Sequence, residues 1–477
     1  MRTSIFTLTM ALGLSACDGH ITISNDENIT PIILTGATLI DGNGGEPILN
    51  AVVIIEADKI TCAGTIVNCP TPKDYETISL KQKYITPGIV DSHVHFSQTG
   101  FVDGRPDSFD ANRIYPYSKT QHENRTNPDR FYKAYMCSGV TAVYDVGGFP
   151  FTWDLRLDAE NRTDAPHIAA AGPLVTHGAP EALNTPAERS MIMLSDPEGG
   201  IKAVNYIKNS NSDSVKVWYL RPREGMVEDI QARVQAVGDE AARLQIPLIV
   251  HANGLREAKH AVNLGAHLLV HNVWTDEIDE EFITIMKAQG TYMTPTMTVG
   301  RGYHEIYDRI ANGTPFDFDD ANSCIDAETK RRIDAAPNLR ALVDGDTFEE
   351  GLKGFDENLT KTRALNGKNL KRLYDAGVKI AMGTDAGNTG TMHGPSVYAE
   401  MEAMQGAGMT PMDVLISATK MGSEVMRREK DFGTVEAGKI ADLLILEKDP
   451  TEDIKNMRSL TQVMRAGKLH DLKDLKQ

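Results

Sequence analysis

Eight short apolar, β-branched runs recur along the middle of this chain: "VDSHVHF", "VTAVYDVG", "HIAAAGPLV", "SVKVWYL", "PLIVHAN", "HLLVHNV", "TYMTPTM" and "VKIAMGTD". Helical patterns fall between many of them. Residues 227–245 carry Ile230, Val234, Val237, Ala241 and Leu244 on one face. "LREAKHAVNLGA" reads as a second helix, with Gly265 as its stop. Eight strands alternating with helices predict an α/β fold, a (β/α)8 TIM-type barrel over residues 84–429. That span exceeds the roughly 250 residues typical of the fold. The surplus, mixed helical and polar at residues 298–370, is expected to cover the barrel mouth as a lid.

Both ends of the chain read differently. Residues 31–83 and 430–477 are strand-like, with Gly, Asn and Asp at turn spacing. They are expected to pair into one small composite β-sandwich. Residues 1–17, "MRTSIFTLTMALGLSAC", hold an apolar run too short to span a bilayer comfortably. Its close, "LSAC", resembles a lipoprotein-type signal in which Cys17 becomes lipidated. The expectation is a membrane-anchored, extracytoplasmic protein, in the periplasm or at the cell surface, with residues 18–30 as a polar tether. In an oxidising compartment Cys62 and Cys69 could close a small loop; four free thiols are the equal alternative.

A net charge of −17 argues against a nucleic-acid partner. The expected partner is a small-molecule substrate, and self-association into a homo-oligomer is left open.

Chemistry concentrates at strand ends. His93 and His95 alternate onto one face of "VDSHVHF", and Asp91 points with them. Two unliganded imidazoles in a packed interior would leave polar nitrogens unsatisfied, at a few kcal/mol each. One metal ion would resolve that. Lys216, His251, His271 and Asp385 lie at or near the carboxyl ends of four further strands, where barrel enzymes build their sites. Singly, each has a bland reading as a capped, solvated or hydrogen-bonded residue. Jointly they make a metal-ligand set.

"ITPGIVDSHVHF", "KVW", "IVHAN", "LLVHN", "GTDAG" and the tail "GTVEAGKIADLLILEKDP" occur in the order of the amidohydrolase superfamily pattern, which the chain resembles over nearly all of its length past the signal segment. "YMCSGVTAVYDVGG" and the region after "HGPSVYAEM" resemble its imidazolonepropionase-like and prolidase-like branch. The resemblance implies two divalent metal ions, zinc being the expected identity. His93, His95 and Asp385 would bind the first, and His251 and His271 the second. Lys216 would bridge them as a carbamate formed with CO2; the alternative is an unmodified Lys216 beside a single-metal site, as in deaminase-like relatives. Asp385 would also be the catalytic base and then acid. Asn253 departs from relatives that carry a second His in that motif. His177, His393 and Tyr219, with Arg221 near the last, are candidate substrate contacts beside ordinary packing readings.

The resulting expectation is a metal-dependent hydrolase of amide-type C–N bonds, acting on a dipeptide or N-acyl-amino acid. A cyclic-amide hydrolase or deaminase is the alternative within the class. A ligand-binding lipoprotein on a decayed hydrolase scaffold is the alternative outside it.

Overall fold

Residues 31–477 are described in the computed structural model; Cys17, the signal segment and the 18–30 tether lie outside them. β1 (Ile32–Leu39), β2 (Ile48–Glu56) and β3 (Lys59–Gly64) form an antiparallel meander. β4 (Glu76–Ser79) and β5 (Tyr84–Pro87) add to β1 in parallel. The chain then enters the barrel through β6 (Ile89–Val94).

The barrel continues with β7 (Val140–Asp145), β8 (His167–Ala170), β9 (Leu174–Thr176), β10 (Met191–Met193), β11 (Val215–Trp218), β12 (Leu248–His251), β13 (Leu268–Val270) and β14 (Tyr292–Thr294). Two parallel sheets result, ordered β6-β7-β8 and β10-β9-β11-β12-β13-β14. They are parts of one ring. β8 and β9 are a single barrel position, broken at residues 171–173, with β8 paired to β7 and β9 to β11. The eighth position is the extended segment 379–386. Ala381 N donates to Met293 O of β14 at 2.9 Å, and Ser92 N of β6 donates to Met382 O at 3.0 Å, which closes the ring.

Alternation along these strands sorts the side chains. Val90, Ala142, Ala169, Ile249, Leu268 and Ala381 meet inside the barrel. Val215, Val217, Val250 and Leu269 pack outward against helices, including the one expected over 227–245, which runs Val227–Arg243. Its Ile230, Val234, Val237 and Ala241 are buried, the single apolar stripe that the periodicity predicts. The helix Leu255–Asn263 ends as expected, with Gly265 at φ +79° just beyond it.

The C-terminal strands β15 (Leu443–Leu446), β16 (Leu460–Arg465) and β17 (Lys468–Asp471) complete the first sheet, in the order β17-β16-β15-β5-β1-β2-β3. The sheet curls over its apolar face, because residues 438–441, just before β15, hydrogen-bond to the β2–β3 hairpin and β3. Leu34, Ala51, Val53, Leu443 and Met464 share that core, so neither end of the chain buries it alone. At the N-terminal face of the barrel, His167 lies between Glu160 (2.8 Å) and Asp442 (2.9 Å). Arg428 pairs with Glu160 at 2.9 Å, and the buried Arg465 of β16 closes the cluster against His167. The cluster joins barrel to sandwich.

Between β14 and the eighth segment stand the helices Val299–Asn312, Ala327–Asp334 and Gly345–Asp375. They pack on the loop after β6 through Phe101, Val102, Phe109, Ile306, Ile310 and Ile333. Arg332 pairs with the buried Asp103 of that loop. Among the described residues two disulfides are present. Cys62–Cys69 closes the small loop considered above, and Cys137–Cys324 ties the insertion to the helix before β7. The second was not legible, since 187 residues separate its cysteines. Among the described residues no helix is long and apolar enough to cross a membrane.

Candidate metal centre and substrate cavity

β6 and the residue that follows it bring both imidazoles of the HxH pair, His93 and His95, to the carboxyl end of the barrel. His93 Nε2 and His95 Nε2 are 3.2 Å apart. Asp385 Oδ1, on the eighth segment, lies 3.3 Å from the first and 3.1 Å from the second. A tetrahedral ion with bonds of ~2.1 Å spaces its ligand atoms at about 3.4 Å. The three atoms stand at nearly that spacing. Asp385 Oδ1 is itself buried without a hydrogen-bond partner, which suits a cation better than a packed interior. The residues fit the ion.

His271 Nε2 lies 3.9 Å from Asp385 Oδ2. The His251 and His271 rings are 4.5 Å apart between centroids, and His251 Nε2 is another buried nitrogen without a partner. His93, His271 and Asp385 offer ligand atoms all within 4.8 Å of one another. Lys216 points in from β11 with 2% of its surface exposed. Burial lowers its pKa to about 7, against the opposing pull of Asp385 and Asp145, so much of it is free amine at neutral pH. Burial likewise pushes His93 and His251 well below the usual imidazole range and His271 to about 4, which leaves their nitrogens free to ligate. Burial opposes ionisation of Asp385, but the facing His93 and His95 hold it well below the usual carboxylate range.

The converging imidazoles are oriented from behind. His95 Nδ1 donates to Gly147 O at 2.6 Å, and Gly147 N donates to the buried Asp145 at 2.9 Å. His271 Nδ1 and Thr296 Oγ1 are 2.6 Å apart. Each contact turns Nε2 toward the centre. Asp91 does not point with the two histidines, as its spacing suggested: β6 shifts register between Asp91 and Val94, and Asp91 stays out of the cavity wall, accepting from Thr384 N and Oγ1 (3.0 and 2.6 Å) and tying β6 to the eighth segment. His271, Thr296 and Asp385 all have positive φ, +67°, +45° and +61°. Three non-glycine residues in the left-handed region at three adjacent strand ends mark a locally strained rim.

A cavity of about 340 Å3 opens above the centre and contains the six candidate ligands in its wall. Trp218, Trp274 and Leu174 come from the strand ends and loops of the barrel, Phe355 and Leu359 from the insertion. The wall is mainly apolar. Arg105, Tyr303 and Asn388 form a polar side.

Three expected substrate contacts are not brought into this cavity. Tyr219 follows Lys216 at odd spacing, so alternation turns it outward into the helix layer, where its hydroxyl meets His260 Nδ1 at 3.2 Å. His177 Nε2 donates to Leu220 O at 3.0 Å. His393 packs behind the centre, 4.1 Å from the Phe131 ring, and its Nε2 donates to His95 O at 3.2 Å. Conversely, Thr296, Arg105, Tyr303 and Asn388 went unread. Only Asn388, three residues past Asp385, carried a positional hint.

A (β/α)8 barrel whose strand ends bring four imidazoles, a lysine and a carboxylate to one point is the frame of a metal-dependent hydrolase. The chain belongs to the amidohydrolase family, whose model matches residues 84–470. That family generally works with divalent metal ions. Ochratoxinase of Aspergillus niger is 24% identical over 490 residues, covering 94% of this chain and 88% of that protein. Imidazolonepropionase of Streptomyces avermitilis is 39% identical over 111 residues, 23% of this chain and 25% of that protein. The crystal structure of a Xaa-Pro dipeptidase with methionine bound in its active site matches with a TM-score of 0.68 at 22% identity, covering 93% of this chain and 100% of that one.

Proposed function

We propose that this amidohydrolase cleaves the amide bond of an N-acyl-amino acid or dipeptide. The observation that carries the reading is the joint convergence of His93, His95, His251, His271, Lys216 and Asp385 on the floor of one largely apolar cavity. His93, His95 and Asp385 would hold one divalent ion, and His251 and His271 a second. When bound, the ions, zinc for a His-rich donor set, would activate water and polarise the scissile carbonyl. Lys216, with its lowered pKa, is a nucleophile for CO2: its nitrogen bonds to the carbon, a proton leaves, and the carbamate offers two anionic oxygens.

Asp385 is the proton carrier. Water adds to the carbonyl carbon and gives a proton to the carboxylate. The C–N bond then breaks, and the nitrogen leaves with the proton that Asp385 held. A carboxylate and an amine result. The apolar walls exclude bulk water and suit an aromatic or aliphatic acyl group. Relatives named ochratoxinase and Xaa-Pro dipeptidase support a C–N substrate. The segment similar to imidazolonepropionase favours a cyclic amide as the second reading.

Two disulfides suit an oxidising compartment. With "LSAC" they support an extracytoplasmic protein held to a membrane by lipid on Cys17. The test is metal quantification on the purified full chain, with hydrolysis of a library of N-acyl-amino acids, dipeptides and cyclic amides by the same sample. Bound metal with turnover on the first two groups is expected. Full metal loading with no turnover on any member rejects the reading.

A further inference from the structure

The polar side of the cavity is assembled from three distant pieces of chain. Arg105 comes from the loop after β6, Asn388 from the loop after the eighth segment, and Tyr303 from the insertion helix Val299–Asn312. The Arg105 guanidinium donates Nε and Nη2 to the two oxygens of Asp107, both at 2.8 Å. Its Nη1 donates to Asn388 Oδ1. The Tyr303 hydroxyl donates to the same oxygen at 2.7 Å, and the guanidinium lies 5.9 Å from the Tyr303 ring centre.

This arrangement fixes a cation rather than merely neutralising it. Three of the five guanidinium N–H groups are engaged on the Asp107 and Asn388 sides. One N–H on each terminal nitrogen is left over. Arg105 lines the cavity, whereas Asp107 does not. A ligand in the cavity therefore meets the donor side of the pair. The side chain is 15% exposed, so its donors work where water competes weakly. A planar guanidinium held on one edge is a preorganised receptor for a carboxylate.

We propose that Arg105, braced by Asp107, Asn388 and Tyr303, binds a free carboxylate on the amine half of the substrate. This rests on the amide-hydrolase reading above and narrows it. The loops after β6 and the eighth segment are neighbours in the ring, while Leu174, Trp218 and Trp274 come from the third, fourth and sixth positions across the mouth. The scissile amide would lie over the six converging side chains, with its carboxylate toward Arg105 and its apolar acyl group toward the tryptophans. Neutral amides lack the group that this side receives.

The test is calorimetric binding of paired probes to the zinc-loaded full chain: apolar L-amino acids, including phenylalanine and proline, against their carboxamides. Wild type is expected to bind at least one acid tenfold or more tighter than its amide. Arg105→Gln should weaken the acid at least tenfold and leave the amide within twofold. Arg105→Lys should keep part of the preference. A wild type that binds no acid better than its amide overturns the proposal, as does equal weakening of acid and amide in Arg105→Gln with unchanged melting and zinc content. If Arg105→Gln does not fold, Arg105→Lys and Tyr303→Phe carry the comparison, and an unaltered acid preference in both overturns it. Acid preference without hydrolysis of any substrate would reject the amide-hydrolase reading while leaving this subsite standing.

Discussion

Cys137 and Cys324 are joined by a disulfide that fastens the insertion over the cavity to the helix preceding β7. Cys324 is buried, and the hydrophobic cluster around it includes Cys137 and Met136. A cross-link over a loop of that length removes about 5 kcal/mol of unfolded-chain entropy in the simplest treatment. Reduction, or a double Cys137→Ser and Cys324→Ser change, should lower the melting temperature by several degrees. It should also expose the insertion to proteolysis before the barrel. Calorimetry and limited digestion with and without reductant measure both; identical melts in the two states would contradict the prediction.

Asp385 is the one carboxylate among the six converging side chains. Asp385→Asn keeps the shape but removes the proton acceptor and the anionic ligand. Turnover should fall by about 10^3-fold or more, as when a general base is lost from a metal site. Far-UV circular dichroism should be unchanged, and metal content should drop.

Thr296 Oγ1 contacts His271 Nδ1, the ring nitrogen on the side away from Asp385. Losing such an orienting partner costs about 10- to 100-fold in metal affinity. Thr296→Val should show that loss in competition with a chelating dye, while Thr296→Ser should bind nearly as wild type. Equal affinity in the valine variant would show that His271 is oriented by packing alone.

Glu400 is wholly buried and accepts from Met297 N (2.7 Å), Thr298 N (3.0 Å) and Thr298 Oγ1 (2.9 Å). Burial raises its pKa to about 7, with these hydrogen bonds opposing. A carboxyl raised in the folded state binds more protons there than in the unfolded chain. Its contribution is therefore full below about pH 4.5 and lost as pH rises to about 7, up to roughly 3 kcal/mol. Melting curves against pH should fall across that window in wild type more steeply than in Glu400→Gln. Parallel curves would remove Glu400 as the cause.

Asp442 faces His167 and the buried Arg465 at the N-terminal end of the barrel, far from the cavity. Asp442→Asn leaves that arginine without its anion, a loss of about 3–5 kcal/mol for a broken buried pair. Thermal stability should drop sharply. Turnover per folded molecule at low temperature should stay near wild type, since this face of a barrel serves stability.

Much of this molecule can be read from its letters, because periodicity is local. Eight apolar runs mark the eight ring positions, and the stripe Ile230, Val234, Val237, Ala241 marks a helix within two residues of its end. The convergence of His93, His95, Lys216, His251, His271 and Asp385 on one cavity was legible for the same reason: a strand end in a barrel has one address. Other features depend on the fold itself. Cys137 meets Cys324, and Arg105 meets Asn388 and Tyr303, only after hundreds of residues have been wound into place. Tyr219 illustrates the opposite error. Nearness to Lys216 in sequence suggested nearness in space, and the two-residue period of a strand reversed it.

The sheet shared by the two termini has a temporal consequence. β5 waits for β15, which is synthesised some 350 residues later, before its free edge is capped. Until β15 is made, β1 to β5 are a half-made surface with exposed apolar residues, a liability for aggregation. A chain cut short before Leu443 would lack the whole cap, and cellular quality control would meet it as an open edge rather than as an enzyme missing a tail.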